Sequence, residues 1–308
     1  LARRDFTINA MAYNPASGLL DPYGGYKDLR SKLIRVVGVA QERFSEDALR
    51  ILRAVRFSST LGFEIEVFTF EAMMMNKWRL SNISVERITR ELNQTLLGDH
   101  VHDALVDNVD VLSYVLPELV ACKGFAQKTT YHIYDVLEHT AWVVQRVPAE
   151  PALRWAALCH DMGKPAAAFT GPDGVGHFYG HAAVSVELAR GLLERLRMPA
   201  ALRDQVLALV RRHDDVVEAT PRSVKRMLRR LGGDPALFRM LCALKRADAL
   251  AQAPFCAPRA DTADELRALM EHILEDEAAF TVKHLAIDGR DIIALGVPAG
   301  PEVGRLLD

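Results

Sequence analysis

Apolar residues recur three and four positions apart along most of the chain after Gly38, which is the spacing of amphipathic helices. The pattern predicts helices over 46–61, 67–76 and 85–97, with Ser84 as the N-cap of the last. Glycine, proline and aspartate interrupt it at 170–176, 232–235 and 253–261, where we expect loops. The chain is therefore predicted to be mostly α-helical.

A different pattern occupies the first part of the chain. Short β-type runs at 8–13, 19–20 and 33–37 are separated by the turn signals Asn14-Pro15 and Gly24-Gly25. We expect a small N-terminal β-sheet, followed by helices.

The segment 43–57 carries charged residues at a regular spacing of three. On one continuous helix, Asp47, Arg50, Arg53 and Arg56 would form a single stripe. Asp47 offers only acceptors and Arg50 a fixed fork of donors, so together they can match the edge of a nucleobase. Arg53 and Arg56 are expected to remain free for a triphosphate. The alternative reading, a solvated basic helix face, stays open at this point.

Composition narrows the class of protein. The chain has 308 residues, of which 50% are apolar, enough for about two domains with sizeable cores. Since no apolar run approaches the roughly 20 residues that a membrane-spanning helix needs, we expect no membrane partner and a cytoplasmic location. The four cysteines form no Cys-x-x-Cys pair and are expected to be buried thiols rather than zinc ligands or disulfides.

Charge is distributed unevenly along the chain. Residues 190–246 contain 14 Lys and Arg against 6 Asp and Glu, whereas residues 261–308 contain 4 against 11. The densest basic stretch, 222–231, has apolar residues at 224, 227, 228 and 231, which predicts a helix with one buried and one cationic face. Contact with an RNA backbone and a simply solvated face are both compatible with this pattern.

Several motifs occur together in one order. The chain contains Arg3-Arg4-Asp5-Phe6-Thr7-Ile8-Asn9-Ala10, then Glu46-Asp47-Ala48-Leu49-Arg50-Ile51-Leu52-Arg53-Ala54-Val55-Arg56-Phe57, then Ser84-Val85-Glu86-Arg87-Ile88. In this order and spacing the chain resembles the class II tRNA nucleotidyltransferases, the CCA-adding enzymes of the poly(A) polymerase family. The resemblance continues through 131–139 to Ile287-Asp288-Gly289-Arg290-Asp291 and so covers essentially the whole chain.

The resemblance implies a role for each matching residue. Arg4 would contact the triphosphate or ribose, Asp47 and Arg50 would pair with cytosine or adenine, and Arg53 and Arg56 would hold the phosphates. ATP, CTP and tRNA are the implied partners. Glu86, Arg87 and Glu91 have helical spacing. An internal ion pair and a functional role are both compatible with their charges.

In the family, a magnesium-binding Asp-x-Asp pair precedes the first motif, and that pair is not among these 308 residues. Phosphoryl transfer needs a cation at the phosphates. We therefore expect this chain alone not to add nucleotides, Mg²⁺ being held elsewhere in the parent protein. The chain starts inside a motif and 305–308 resemble a helix cut short, so we expect further residues at both ends.

Histidines and aspartates form a second candidate site. Six of them fall on or beside predicted helices in the second half of the chain: His139, His160, Asp161, His181, His213 and Asp248. Any one alone would most often be a packing residue, but together they suit a divalent transition metal.

The order of these six residues resembles the HD superfamily of metal-dependent phosphohydrolases. That resemblance implies His139, His160, Asp161 and Asp248 as ligands of one ion (Ni, Co, Mn or Fe). His181 and His213 match the residues that hold a second ion in some members, and Lys164 would lie beside the substrate phosphate. His177 is expected near the site, and His102, His132 and His284 at surface or packing positions. The tyrosines and tryptophans are interpreted as too scattered to form a stacking platform.

The combined prediction has four parts. Residues 1–38 are the remnant of a nucleotidyltransferase head, 39–125 a nucleotide-reading helical neck, 126–260 an HD metal-binding domain, and 261–308 the start of a helical tail. The predicted function is part of a tRNA nucleotidyltransferase that adds CCA to tRNA 3′ ends, with an HD phosphohydrolase site. The alternatives are a stand-alone HD phosphohydrolase acting on phosphomonoesters or cyclic phosphates, and a non-catalytic tRNA-binding module.

Overall fold

The structure, a computed structural model, describes residues 1–279, 289–294, 296–298 and 300–303. Helices dominate the described residues and the strands are short, which confirms the mostly α prediction. Within these ranges, no helix has both the length and the apolarity to cross a lipid bilayer. His284, residues 287 and 288 of the late motif, and the end at 305–308 lie outside the described residues.

The α-helices follow one another along the chain as α1 (Gly25–Arg30), α2 (Ala40–Glu46), α3 (Leu49–Leu61), α4 (Val67–Asn76), α5 (Val85–Leu96), α6 (Val101–Asp107), α7 (Val109–Leu112), α8 (Val136–Arg146), α9 (Pro151–Cys159), α10 (Lys164–Ala167), α11 (His181–Arg195), α12 (Ala200–Arg212), α13 (Pro221–Arg230), α14 (Pro235–Leu250), α15 (Pro258–Ala279) and α16 (Gly289–Ala294). Short 3-10 helices occupy Thr7–Asn9, Lys77–Asn82, Pro117–Cys122 and Pro254–Cys256. The predicted helix at 67–76 is confirmed, and α5 begins after Ser84 as expected, although the Ser84 side chain makes no capping hydrogen bond.

The strands pair two by two. They are β1 (Ala12–Asn14) with β2 (Gly18–Leu20), antiparallel, β3 (Leu33–Ile34) with β4 (Glu64–Ile65), parallel, and β5 (Phe169–Thr170) with β6 (Gly176–His177), antiparallel. The predicted strand at 8–13 is wrong at its start, where Thr7–Asn9 form a 3-10 turn. In that turn the Thr7 hydroxyl donates to Asp28 Oδ2 at 2.7 Å, a side-chain bond that periodicity does not reveal.

The chain forms two compact units, the first of which comprises residues 1–215 and 243–261. In it, α3 packs on α5 and α6 on α8, while α9, α11 and α12 pack on one another. The core is aliphatic and aromatic, with Trp155, Phe6 and Phe44 fully buried. Cys122, Cys159 and Cys256 in this unit are buried and form no disulfide within the described chain, as expected.

The second unit comprises residues 216–242 and the described part of 262–308. Its helix α13 buries Val224 and Met227 and exposes its basic side chains, confirming the predicted two-faced helix. Arg239 binds Glu271 through two charge-assisted bonds of 2.6 and 2.8 Å. Cys242, the remaining cysteine, is also buried and not joined in a disulfide.

Helices α3 and α5 approach closely because Gly98, just after α5, has no side chain. A Cβ atom on Gly98 would lie 2.1 Å from Ser59 Oγ and 2.6 Å from the Ser59 carbonyl oxygen. Ser59 cannot move aside easily, since it is fully buried and its hydroxyl donates to the Thr95 carbonyl at 2.6 Å.

We therefore expect Gly98→Ala to lower the free energy of unfolding by about 1–3 kcal/mol, the usual cost of overpacking a core. The matched control is Gly191→Ala inside α11, where a new Cβ would meet nothing within 4 Å. It should stabilise by roughly 0.5–1 kcal/mol, because alanine is the better helix former. Urea denaturation of both variants measures the difference, and equal midpoints would contradict the expectation.

Candidate nucleotide site and candidate metal centre

Asp47 lies at a break between two helices rather than inside one. Helix α2 ends at Glu46, Asp47 has an extended backbone (φ −150°, ψ 101°), and α3 begins at Leu49. The prediction of a continuous helix over 46–61 is therefore wrong at this point. The reason is local: Asp47 Oδ1 accepts the Leu49 N–H at 3.1 Å, the kind of side-chain bond that competes with a continuing helix.

The break still brings Asp47 and Arg50 onto one turn, because the Arg50 N–H donates to the Asp47 carbonyl at 3.1 Å. The other oxygen of the carboxylate, Oδ2, accepts from Arg87 at 2.8 Å. Arg50 donates to Glu46 Oε2 at 2.8 Å and to the Arg3 carbonyl at 3.2 Å. The two predicted base-reading side chains are thus adjacent, and both are already engaged in hydrogen bonds.

Arg53 and Arg56 are held by carboxylates from other parts of the fold. Arg53 Nε lies 2.7 Å from Asp5 Oδ2, and Arg56 Nε lies 2.7 Å from Glu91 Oε2. The second oxygen of Glu91 is 3.8 Å from Arg53. Both arginines therefore already have carboxylate partners, but each guanidinium has five N–H donors, so donors remain for further acceptors such as a triphosphate.

Arg87 and Glu91 do not pair with each other or with Glu86. Arg87 binds Asp47, Glu91 binds Arg56, and Glu86 lies 2.7 Å from Arg197 after α11. Helix α5 therefore links the candidate nucleotide site, through Arg87 and Glu91, to the segment after α11, through Glu86.

A cavity of about 370 Å³ lies beside Asp47, a volume in the range of small-molecule sites. Arg79, Asn82 and Arg87 contribute polar groups to its lining. Sequence reasoning missed Arg79 and Asn82, because they lie on a 3-10 helix with no motif of its own. Arg4, on the exposed segment before Asp5, lies outside this lining, as do Arg50, Arg53 and Arg56.

Asp5 is a buried carboxylate whose charge depends on Arg53. Burial by itself raises its pKa, but the hydrogen bond and charge of Arg53, with the Asn9 amide and Phe6 N–H, hold the pKa below its ordinary value. Because the pKa is lower in the folded state, the charged Asp5 stabilises the fold above its unfolded-state pKa. That contribution disappears as the pH falls through the folded-state value.

Replacing Asp5 by Asn should therefore flatten the acid side of the stability profile. We expect wild type to lose stability relative to Asp5→Asn as the pH falls below about 4, the ordinary range for an aspartate. The control is Asp204→Asn, an exposed carboxylate on α12. Urea denaturation between neutral and acid pH gives the comparison, and parallel profiles for wild type and Asp5→Asn would reject this coupling.

The predicted ligands of the HD site come together from three helices. His139 lies on α8, His160 and Asp161 follow α9 directly, and Asp248 lies on α14. One ligand atom from each lies within 4.8 Å of the others. His139 Nε2 is 2.9 Å from Asp248 Oδ1 and 3.5 Å from Asp161 Oδ2.

Backbone carbonyls orient both imidazoles of this group. His139 Nδ1 lies 3.2 Å from the Ala251 carbonyl, and His160 Nδ1 lies 2.7 Å from the Ala157 carbonyl. With Nδ1 donating to a carbonyl, Nε2 carries the lone pair and is aimed inward, which is the arrangement of metal-binding histidines.

The donor set fits a divalent cation. His160 is fully buried, and its Nε2 has no hydrogen-bond partner in the described chain. It approaches Asp161 Oδ2 to 3.1 Å, but the pair is not aligned as a hydrogen bond. A buried acceptor facing a carboxylate is costly unless a cation lies between them.

A second group shares Asp161. Its Oδ1 lies 3.3 Å from His181 Nε2 and 3.7 Å from His213 Nε2, and these two nitrogens are 3.1 Å apart. Both Nδ1 atoms again contact backbone carbonyls, of Phe178 at 2.9 Å and Val210 at 2.7 Å. Asp161 thus presents one oxygen to each group of ligands, as a bridging carboxylate would.

Lys164 places a positive charge at the edge of the candidate metal centre. Its Nζ lies 2.7 Å from Asp161 Oδ2 and donates to Gln127 Oε1 at 2.7 Å. Burial raises the pKa of Asp161, but His160 and Lys164 hold it well below the usual range. Burial and the Lys164 charge lower the pKa of His132, 3.2 Å from Lys164, to about 3, so His132 is neutral at physiological pH.

The fold and the two candidate sites define a class: a mostly α-helical protein with an arginine-rich candidate nucleotide site and an HD-type cluster of histidines and aspartates. Three family models match in chain order. They are the poly A polymerase head domain at residues 1–35, the "Probable RNA and SrmB-binding site of polymerase A" at 62–122, and the HD domain at 129–253.

Curated relatives place the chain in one family. It is 33% identical to the A-adding tRNA nucleotidyltransferase of Deinococcus radiodurans over 100% of this chain and 73% of that protein. It is 36% identical to the multifunctional CCA protein of Nitrosomonas europaea, over 74% of this chain but only 57% of the relative. The chain belongs to the tRNA nucleotidyltransferase family.

A solved structure shows the same fold. The Bacillus stearothermophilus CCA-adding enzyme in complex with CTP superimposes with a TM-score of 0.62 and 28% identity. The match covers 100% of this chain and 67% of that enzyme.

Proposed function

We propose that this chain is the nucleotide-reading neck and HD body of a tRNA nucleotidyltransferase that adds CCA, using CTP and ATP. The observation that carries the proposal is the turn from Asp47 to Arg50, which places one acceptor and one donor group side by side next to two further arginines. Acting on tRNA, the protein is proposed to be cytoplasmic.

In this proposal Asp47 and Arg50 select the base. The carboxylate accepts from an exocyclic amine of cytosine or adenine and the guanidinium donates to a ring nitrogen or oxygen. Uracil and guanine present a different arrangement of donors and acceptors and leave a polar group unpaired. Arg50 already donates to Glu46 and to the carbonyls of Arg3 and Arg43, and its guanidinium has further N–H donors for a base.

Arg53 and Arg56 hold the phosphates, with Arg4 at the triphosphate or ribose. Asp5 and Glu91 fix the two guanidiniums in place, so the ligand need not order these long side chains on binding. Nucleotidyl transfer itself requires Mg²⁺, which neutralises phosphate charge and activates the attacking hydroxyl. The cationic face of α13 is the proposed contact for the tRNA backbone.

Two alternatives are less well supported. A stand-alone HD phosphohydrolase does not require the two arginines of α3 to be fixed by carboxylates from different segments. A tRNA-binding module without activity does not require a base-reading turn beside a cavity of about 370 Å³.

The base-reading proposal predicts the behaviour of an Asp47→Ala variant. Wild type should bind CTP and ATP more tightly than UTP and GTP, and the variant should lose that preference, worth about 1–3 kcal/mol per matched base. Equilibrium binding of the four nucleotides to the folded chain measures it.

Two further variants make this test specific. Asp47→Asn keeps an oxygen for the Leu49 N–H but replaces an acceptor by a donor, so it should also lose the preference without losing the helix start. Glu42→Ala, an exposed change on α2, is the control. An unchanged order of affinities in both Asp47 variants would leave this turn a structural element only.

We propose a second activity for the HD centre, supported by its two groups of ligands around Asp161. Bound transition metal ions, such as Ni, Co, Mn or Fe, would polarise a phosphoryl oxygen and lower the pKa of a bound water. Lys164 then offsets the negative charge of the substrate phosphate. His132 is neutral, so it adds no positive charge beside the Lys164 ammonium. The proposed substrates are phosphomonoesters or cyclic phosphodiesters.

The two proposed activities separate in an Asp161→Ala variant. It should lose bound metal and phosphate release, because it removes an oxygen from each ligand group, yet keep CTP binding at the neck. Metal analysis, a phosphate-release assay and CTP titration give the three readings. Asp161→Asn, which preserves volume, and the surface change Asp204→Ala control for misfolding. A wild-type chain that holds no metal and gains no activity with nickel, cobalt or manganese would contradict the HD proposal.

A further inference from the structure

Asp248 is the least buried of the four residues in the first group of HD ligands. Its side chain is 27% exposed, whereas the side chains of His139, His160 and Asp161 are 1% exposed. Packing fixes the direction of the three buried side chains, but a carboxylate at the surface keeps its freedom to turn into water. The direction of Asp248 therefore depends on a hydrogen-bond partner.

Gln252 is that partner. Its Nε2 donates to Asp248 Oδ2 at 3.2 Å, which leaves Oδ1 facing His139 Nε2 at 2.9 Å. The helical turn continues past the end of α14, because the Ala251 N–H donates to the carbonyls of Ala247 and Asp248. Gln252 and Asp248, four positions apart, therefore lie on one face of that turn. One carboxylate oxygen is held from outside, and the other points at the ligand group.

Arg259 determines which end of the Gln252 amide faces the carboxylate. Its Nη1 donates to Gln252 Oε1 at 3.0 Å, and its guanidinium lies over the Tyr131 ring at 4.9 Å. A guanidinium has only donors and a carboxylate only acceptors. The reversed amide would place oxygen against oxygen at Asp248 and N–H against N–H at Arg259, so this network excludes it.

The turn that carries Gln252 is itself held in place. The Ala251 carbonyl lies 3.2 Å from His139 Nδ1, and the Ala253 N–H donates to the Tyr131 carbonyl at 2.7 Å. Residues 251–253 thus contact both α8 and the segment before it. Gln252 therefore holds Asp248 from a backbone that is fixed relative to His139.

We propose that Gln252 is a positioning residue of the HD centre, whose amide, oriented by Arg259, holds the Asp248 carboxylate toward His139 and so raises the affinity for the ion of that ligand group. The inference rests on the proposed metal binding of the HD centre and adds to it a residue that acts only through a ligand. Replacing a residue that hydrogen-bonds to a metal ligand typically lowers metal affinity about 10- to 100-fold. The second group, Asp161, His181 and His213, does not contain Asp248 and serves as an internal reference.

Metal affinity tests the proposal without turnover. The probe is Co²⁺, titrated into the full chain after chelator treatment and followed by its visible absorption and by competition with a chelating dye. Gln252→Met keeps the length of the side chain but removes the amide, and it should weaken one binding step about 10- to 100-fold. Asp248→Ala identifies that step, because it removes the ligand itself. Binding at His181 and His213 should keep its affinity.

Gln205→Met is the matched control, since Gln205 on α12 is also half-buried and lies outside both ligand groups. It should bind Co²⁺ as wild type does. Equal affinities in wild type and Gln252→Met would overturn the positioning role, and so would a loss of the same size in Gln205→Met.

Arg259→Met tests the orientation of the amide. It should weaken the same binding step about 2- to 10-fold in wild type, the range for one hydrogen bond, and cause no further loss in Gln252→Met. A guanidinium that acted only through its charge would repel the ion, so its removal would strengthen Co²⁺ binding in both backgrounds. That result would contradict the role of Arg259.

Crystal structures of the metal-free chain, grown with a chelator, test the positioning independently of metal binding. Wild type should keep Asp248 Oδ1 within hydrogen-bond distance of His139 Nε2, and Gln252→Met should show the carboxylate turned into solvent. The same Asp248 direction in both structures would reject the positioning role. A wild-type chain that binds no Co²⁺ rejects the metal centre instead, and the two metal-free structures then decide the role of Gln252.

Discussion

The buried carboxylate of Asp161 is the constraint around which the helical body is organised. It is 1% exposed, and a charge at such depth is tolerated only if the fold surrounds it with partners. Helices α8, α10 and α11 and the C-terminal ends of α9 and α12 each supply or adjoin one partner. Because those partners come from distant parts of the chain, the carboxylate also determines how the helices must pack.

In the candidate nucleotide site the charges that need partners are positive, and carboxylates supply them. Arginines on α3 lie near one another, and carboxylates from other segments keep that arrangement from being repulsive. Asp5 holds Arg53, and Glu91 on α5 holds Arg56 at 2.7 Å while lying 3.8 Å from Arg53. The cost of aligning the guanidiniums is thus met on folding, so they are ordered before any ligand arrives.

The sequence by itself determined the helical class, the helix at 67–76, the helix predicted at 85–97 to within one residue, and the two-faced α13, because these depend on local periodicity. The resemblance to the HD superfamily named the six candidate ligand residues, which the fold brings together in two groups. Tertiary structure decided the rest. The carboxylate partners of Arg53 and Arg56 come from distant segments and meet them only in the fold, and the break at Asp47 depends on a local side-chain bond that helical periodicity does not reveal. Phe169 and His177 are eight positions apart, and only strand register brings them together, which a one-dimensional pattern does not encode.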